Sequence, residues 1–252
     1  MSNSLKGKGV LVTGGSAGLG AETVRKFARE GCNVVINYAN NQSRADDLAE
    51  EVIEQYGIKA YVLKADLGNI ADIEKLVEDS ISKLGRLDIV ISNAGWTRFI
   101  NFADIDEVTE ADWDRTCNMN IKSHFWLYKY SRKYLNEGPG TQHFIVTASI
   151  AGLRPSGSSL PYSSTKAALI HMVKGLAKVS GPNVCVNAIC PGLLLTEWGL
   201  KFGPEIIANI ENSLPLKHAP TISDTAEAFV YVSKSTSVTG TAIPIDAGNM
   251  VV

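Results

Sequence analysis

The sequence predicts an α/β fold: a doubly wound parallel sheet with helices packed on both of its faces. Three observations carry that reading. Short β-branched runs alternate with longer segments of helical period along the whole chain, the pattern of repeated βαβ units. The runs are continuously apolar rather than alternating, as strands are when both sheet faces are covered. A glycine-rich turn joins the first run to the first helical segment, where such a fold brings bare backbone close to a ligand.

Taken in order, strands are expected at 9–13 (GVLVT), 33–37 (NVVIN), 60–66 (AYVLKAD), 88–93 (DIVISN), 143–149 (HFIVTAS), 184–189 (VCVNAI) and 241–246 (TAIPID). The helical segment 21–30 sets Val24, Phe27 and Ala28 on one side. The next, 43–57, turns Leu48, Val52 and Ile53 inward and its acids outward, and a third covers 70–85. The stretch 112–130 reads as one long buried helix, with Trp113, Met119, Phe125 and Leu127 at packing positions. No repeat, low-complexity tract or Pro/Gly linker breaks the chain, so residues 1–252 are expected to form a single domain.

Composition sets the outer limits. At 45% hydrophobic and 20% charged the chain has ample material for a core. A net charge of −2 gives no electrostatic case for nucleic acid or a membrane surface. Cys32, Cys117, Cys185 and Cys190 form no CxxC pair and lie in apolar contexts, so they read as reduced core thiols of a reducing compartment. The first residues hold no apolar signal stretch, and no run approaches the ~18 apolar residues of a membrane span. A cytoplasmic protein is expected. His124, His143, His171 and His218 are scattered, and no metal site is expected.

The turn TGGSAGLG, 13–20, spaces its glycines as Gly14, Gly18 and Gly20, with Ser16 and Leu19 between them. Placed between a strand and a helix, it can present backbone N–H groups and the positive helix end to a phosphate. A second pattern is Tyr162 four residues before Lys166, just after Pro161. On a helix those two side chains share a face, and Pro161 suits the helix start. A phenol with a pKa near ~10 is a poor proton donor at neutral pH. A neighbouring ammonium favours its ionised form, so the pattern admits two readings: a pair that carries proton transfer, or a chance meeting on a solvated helix face.

Five motifs occur in order: TGxxxGxG at 13–20, Asn93-Ala94-Gly95 after the fourth strand, Ser149, YxxxK at 162–166, and Pro191-Gly192. Together they resemble the short-chain dehydrogenase/reductase family in its branch of about this length, and the match covers essentially the whole chain. The resemblance implies a Rossmann-type fold, a nicotinamide dinucleotide cofactor and a catalytic tetrad of Asn120, Ser149, Tyr162 and Lys166, with Asn118 a nearby rival for the first. It implies that Asp66 and Leu67 meet the adenine, and that Asn93, Ala94 and Gly95 let the ribose lie close. Pro191, Gly192, Leu194 and Thr196 are implied around the nicotinamide, and Ser92 replaces the family's first Asn.

At the end of the second strand, NAD-binding folds commonly carry Asp or Glu. This chain has NYANNQSR, 37–44, with no acid to repel a 2′-phosphate. Asn37, Tyr38, Asn40 and Asn41 can donate to that phosphate or pack around it, and Arg44 stands nearby. NADP(H) is the expected cofactor, with NAD(H) the alternative. Ala17 departs from the arginine that many NADP-preferring relatives carry in the glycine loop. The segment of about 195–223 is expected to vary and to close over substrate, with Trp96, Trp198 and Phe202 bordering an apolar pocket. A pair of helices at a subunit interface reads that segment equally well.

The expected function is interconversion of a ketone and a secondary alcohol, with Tyr162 trading the proton. A non-catalytic sensor or scaffold of the same fold is the competing class, and an NAD(H)-preferring dehydrogenase a nearer one. An isomerase or lyase that retains its cofactor is the third. The resemblance and the apolar long helices imply a homotetramer or homodimer.

Overall fold

Alternate residues of a strand point to opposite sheet faces, and here both sets are apolar. Val10 and Val12 of β1 (Gly9–Val12) fall in one core, and Leu11 between them falls in the other. The computed structural model describes residues 4–252. After β1 come α1 (Gly18–Arg29), β2 (Asn33–Tyr38), α2 (Gln42–Tyr56), β3 (Ala60–Lys64), α3 (Ile70–Leu84) and β4 (Ile89–Ser92). The second half adds α4 (Glu110–Cys117), α5 (Ser123–Glu137), β5 (Gln142–Thr147), α6 (Leu160–Ser180), β6 (Val184–Pro191), α7 (Pro204–Ser213), α8 (Ile222–Ser233) and β7 (Ala242–Ile245). The seven strands form one sheet in the order β3-β2-β1-β4-β5-β6-β7, and every neighbouring pair is parallel.

One face of the sheet is covered by Val24 and Phe27 of α1, Leu48 and Val52 of α2 and Phe229 of α8. The other is covered by Leu76 and Val77 of α3, Leu127 and Leu135 of α5, and Leu169 and Val173 of α6. The strand order reverses between β1 and β4. The loops leaving those two strands diverge there, and a crevice opens at their carboxyl ends.

Three packing expectations fail. Ile53 is 43% exposed, because α2 buries only a narrow stripe against the sheet. Trp113 and Phe125 are likewise exposed, although Leu127 is fully buried. Their segment is not one regular helix: α4 runs through a π-helical turn at Asn118–Lys122 into α5. The wider turn shifts the helical phase, so positions on one face of an ideal helix separate, and Asn120 swings to a fully buried site. Cys117, in the last turn of α4, is only half-buried, whereas Cys32, Cys185 and Cys190 are buried free thiols. Among the described residues no helix is long and apolar enough to cross a membrane.

Candidate active site

The loop between β1 and α1 is shaped by steric need. Gly14 has φ +58°, and a Cβ on Gly20 would lie 2.2 Å from the Gly14 carbonyl oxygen. The helix it feeds starts at Ala17, which offers no side-chain cap, and no acid lies in the first turn. By contrast, α2, α3 and α6 are capped by Asn41, Asn69 and Ser159. The first N–H groups of α1 are therefore left for an outside acceptor.

The loop is anchored from behind. Asn93 donates from Nδ2 to the Thr13 carbonyl at 3.0 Å, and its Oδ1 accepts from Thr147 Oγ1 at 3.0 Å, tying the ends of β1, β4 and β5. Asn37 Oδ1 accepts from the Gly14 N–H at 3.1 Å. The Asn37 Nδ2 faces the carbonyls of Tyr38, Leu63 and Ala65 at 3.2–3.3 Å. The Asn37 side chain thus has both its polar atoms bonded within the protein, although the residue still lines the cleft. Tyr38 is buried and donates its hydroxyl to Gln42 Oε1. Asn41 caps α2 by accepting from the Arg44 N–H. Neither Tyr38 nor Asn41 lines the cleft, whereas Asn40 and Arg44 do. The sequence places these polar residues correctly at the strand end, but it cannot show which are already satisfied.

These loops enclose one cleft of about 1480 Å³. Gly14, Ser16, Gly18, Leu19 and Gly20 form its floor at one side, with Asp66 and Leu67 beyond them. Asp66 Oδ1 accepts from the Gly68 N–H at 2.9 Å, while Asn69 caps α3. Asn93, Ala94 and Gly95 border the middle of the cleft, and Pro191, Gly192, Leu194 and Thr196 the opposite wall. The residues present fit a dinucleotide: a bare glycine cradle, an uncapped helix end, and a cleft deep enough for a second, smaller molecule.

Ser149, Tyr162 and Lys166 also line this cleft. The Ser159 hydroxyl accepts from the Tyr162 N–H and starts α6, with Pro161 in its first turn. One turn on, the Lys166 ammonium lies 5.6 Å from the centre of the Tyr162 ring and donates to the Thr147 carbonyl at 2.7 Å. Both side chains are buried. Burial pushes the Tyr162 phenol up to about 12, against the pull of a hydrogen bond from Ser149. Burial also pushes Lys166 down to about 8. The sequence leads one to expect the lysine to dominate the phenol. In the protein alone desolvation wins, because both groups leave water on folding.

Asn120 settles beside this pair. Its Oδ1 accepts from the Trp96 N–H at 2.8 Å, and its Nδ2 donates to the Trp96 carbonyl and to Thr165 Oγ1. A Cβ placed on Gly95 would lie 3.3 Å from Asn120 Oδ1 and 3.8 Å from Lys166 Nζ, so both groups meet at Gly95. The rival Asn118 points elsewhere and donates to the Gly68 carbonyl.

Over the phenol lies an aromatic cap. Trp198 packs on Tyr162 at 5.5 Å between ring centres, and Phe99 packs on Trp198 at 5.7 Å and on Phe202 at 5.0 Å. Trp96 lines the same cleft under the Arg115 guanidinium, 4.6 Å from its ring. Phe99 is absent from the sequence-based pocket. It lies in a stretch without period or motif, so nothing in the sequence marks it. Among the described residues no group of His, Cys, Asp and Glu is arranged to hold a metal ion.

This chain is similar to proteins already known. The family model described as enoyl-(acyl carrier protein) reductase matches residues 14–249. A short-chain dehydrogenase/reductase of Pestalotiopsis microspora is 32% identical over 260 residues, spanning 97% of this chain and 96% of its own. A short chain dehydrogenase from Burkholderia cenocepacia, solved in complex with NADP, has a TM-score of 0.90 at 28% identity, covering 98% of this chain and 100% of its own. A 7α-hydroxysteroid dehydrogenase complexed with NADH and 7-oxo glycochenodeoxycholic acid has the same score and identity, covering 98% of each chain.

Proposed function

The chain belongs to the short-chain dehydrogenase/reductase family, whose members bind nicotinamide dinucleotides, and on that premise we propose that it is an NADP(H)-dependent oxidoreductase interconverting a ketone and a secondary alcohol. One observation carries the proposal. Ser149, Tyr162 and Lys166 stand on the wall of the same cleft that the glycine loop floors, and Asn120 and Lys166 both approach Gly95. The bound cofactor supplies the hydride. The chain's own residues do the rest.

Tyr162 holds its proton in the free protein, with the phenol pushed up to about 12. That is the form a carbonyl oxygen needs from a donor. In reduction the Tyr162 Oη–H donates to the substrate oxygen and the proton passes across as the alcohol forms. In oxidation the same oxygen receives it back. The Ser149 hydroxyl orients the substrate oxygen beside the phenol. Lys166 carries positive charge below about pH 8 and steadies the developing phenolate. Asn120 fixes the Trp96 peptide and closes the back of the cleft. The cap of Trp198, Phe99 and Phe202 excludes water and favours a ring-bearing or otherwise apolar ketone. The steroid ketone bound by one structural relative agrees with that choice.

NADP(H) is favoured over NAD(H) because no acid follows β2 on the cleft wall until Asp47, while Asn40 and Arg44 line it. Residues 1–252 act as one domain in this reading, with about 195–223 as the segment that adapts to substrate. We place the protein in the cytoplasm as a homodimer or homotetramer, with no nucleic-acid or membrane partner. Incubation with NADPH and a panel of cyclic ketones, followed at 340 nm, tests the activity. Oxidation of NADPH dependent on ketone is expected. Tight NADPH binding without turnover of any ketone or alcohol would instead support a sensor.

A further inference from the structure

Two residues that line the cleft, brought from segments far apart in the sheet, are paired with each other. Arg44 stands in the first turn of α2, where Asn41 fixes its backbone. Glu197 follows Thr196 in the segment after β6. In the sheet, β2 and β6 are separated by β1, β4 and β5. Even so, Arg44 Nη2 lies 3.0 Å from Glu197 Oε1, and Arg44 Nη1 donates to Oε2 at 3.2 Å. Both side chains line the cleft. The pairing is a two-pronged fork on a carboxylate, the geometry with which guanidinium also grips phosphate. Next along the chain is Trp198, which caps Tyr162.

The other cations at this end are differently placed. Arg25 is committed to Glu51 through two bonds of 2.6 and 2.7 Å. Lys64, at the end of β3, lines the cleft in register with Tyr38. Arg44 is therefore the guanidinium whose resident anion is itself an exposed lining residue of the cleft.

We infer that the Arg44–Glu197 pair is a cofactor-reading latch: a phosphate on the adenosine ribose takes the guanidinium from Glu197, which sets selectivity and frees the segment carrying Trp198. The inference rests on the NADP(H) reading above. A ribose phosphate brings nearly two negative charges and three acceptor oxygens, and so outcompetes one exposed carboxylate. A ribose hydroxyl brings neither, so NADH leaves the latch closed. Glu197 thus opposes NADPH binding by holding Arg44, and Arg44 favours it.

Equilibrium fluorescence titration with NADPH and NADH tests this without turnover. The proteins compared are the wild type, R44Q, E197Q, the double variant and K64Q. Arg44 and Glu197 are exposed, so all should fold, which circular dichroism checks. R44Q is expected to weaken NADPH by about tenfold or more while moving NADH by less than about twofold. E197Q is expected to tighten NADPH about two- to fivefold relative to NADH, because an exposed pair no longer has to be broken. In the R44Q background the E197Q change should leave the NADPH/NADH ratio where it was. A wild type that favours NADPH with a ratio unmoved by R44Q and E197Q, or moved by K64Q instead, overturns the latch and leaves the cofactor reading standing. A wild type that favours NADH but loses NADPH affinity in R44Q and gains it in E197Q keeps the latch and overturns the cofactor reading, whereas E197Q silent beside an active R44Q overturns the latch in either case. A wild type that favours NADH with R44Q silent overturns both.

Discussion

Asn120, buried beside Gly95, and Trp198, on the lining of the cleft, are held in place by opposite means. Asn120 is fully buried, and its side-chain oxygen and nitrogen both have partners in the Trp96 peptide and Thr165. Trp198 is 39% exposed and is held by ring contacts with Tyr162 and Phe99. A buried polar network has one satisfactory geometry, and losing a partner costs the full desolvation of what remains. Ring contacts at an exposed edge tolerate displacement and replacement. In the function proposed, the Asn120 side fixes the proton chemistry and the Trp198 side adjusts to a substrate.

Substitution at the two positions should split accordingly. Asn120→Ala strips the Trp96 peptide of both partners at a cost of about 2–4 kcal/mol, read as a melting point lower by roughly 5–10 °C. Turnover should fall with it. A stable, fully active variant would show that the Asn120 side does not depend on this network. Trp198→Ala should leave the melting point nearly unchanged and raise KM for a cyclic ketone by about tenfold, with a smaller change in kcat. If it lowers kcat as sharply as Asn120→Ala, the Trp198 side belongs to the chemical machinery and the contrast is lost.

The strand end at Asn37 extends the same contrast. By sequence, Asn37→Asp would move preference toward NAD(H). In the folded chain that change sets a carboxylate against the carbonyls of Tyr38, Leu63 and Ala65. Its main expected effect is a loss of about 1–3 kcal/mol of stability, seen as a lower denaturant midpoint with little change in cofactor ratio. A large shift toward NADH at unchanged stability would return Asn37 to the selectivity site.

A smaller effect concerns pH. Burial lowers Lys166 to about 8 and raises Tyr162 to about 12. As pH rises, the lysine loses its proton first, while the phenol keeps its own. For ketone reduction kcat/KM should be level below about pH 8 and decline above it, and Lys166→Met should abolish that limb. A rate that climbs between pH 8 and 10 would mean that the ionised phenol, rather than the phenol, is the required form.

Much of this was legible in the chain. The seven strands emerge within a few residues of their expected ends, because each is a continuous apolar run bounded by polar turns. The glycine loop, Tyr162 and Lys166, which their local patterns single out, line one cleft together with Ser149, which only the family resemblance implies. What the sequence hid is whatever depends on who else is nearby. Periodicity could not announce the π-turn at Asn118–Lys122 that exposes Trp113 and Phe125. Composition could not tell that Asn37, Tyr38 and Asn41 are already bonded within the protein. Phe99 and the Arg44–Glu197 fork arise from contacts between segments distant in sequence, which no local motif records.

The most direct test of the chemistry is a single turnover of Tyr162→Phe beside the wild type. Each is loaded with NADPH and mixed rapidly with a cyclic ketone while absorbance is followed at 340 nm. NADPH should bind the two proteins alike, and loss of the hydroxyl should slow its oxidation by roughly 10²–10⁴-fold, the worth of a positioned proton donor. Oxidation at the wild-type rate in the variant would contradict the assignment of Tyr162 as that donor.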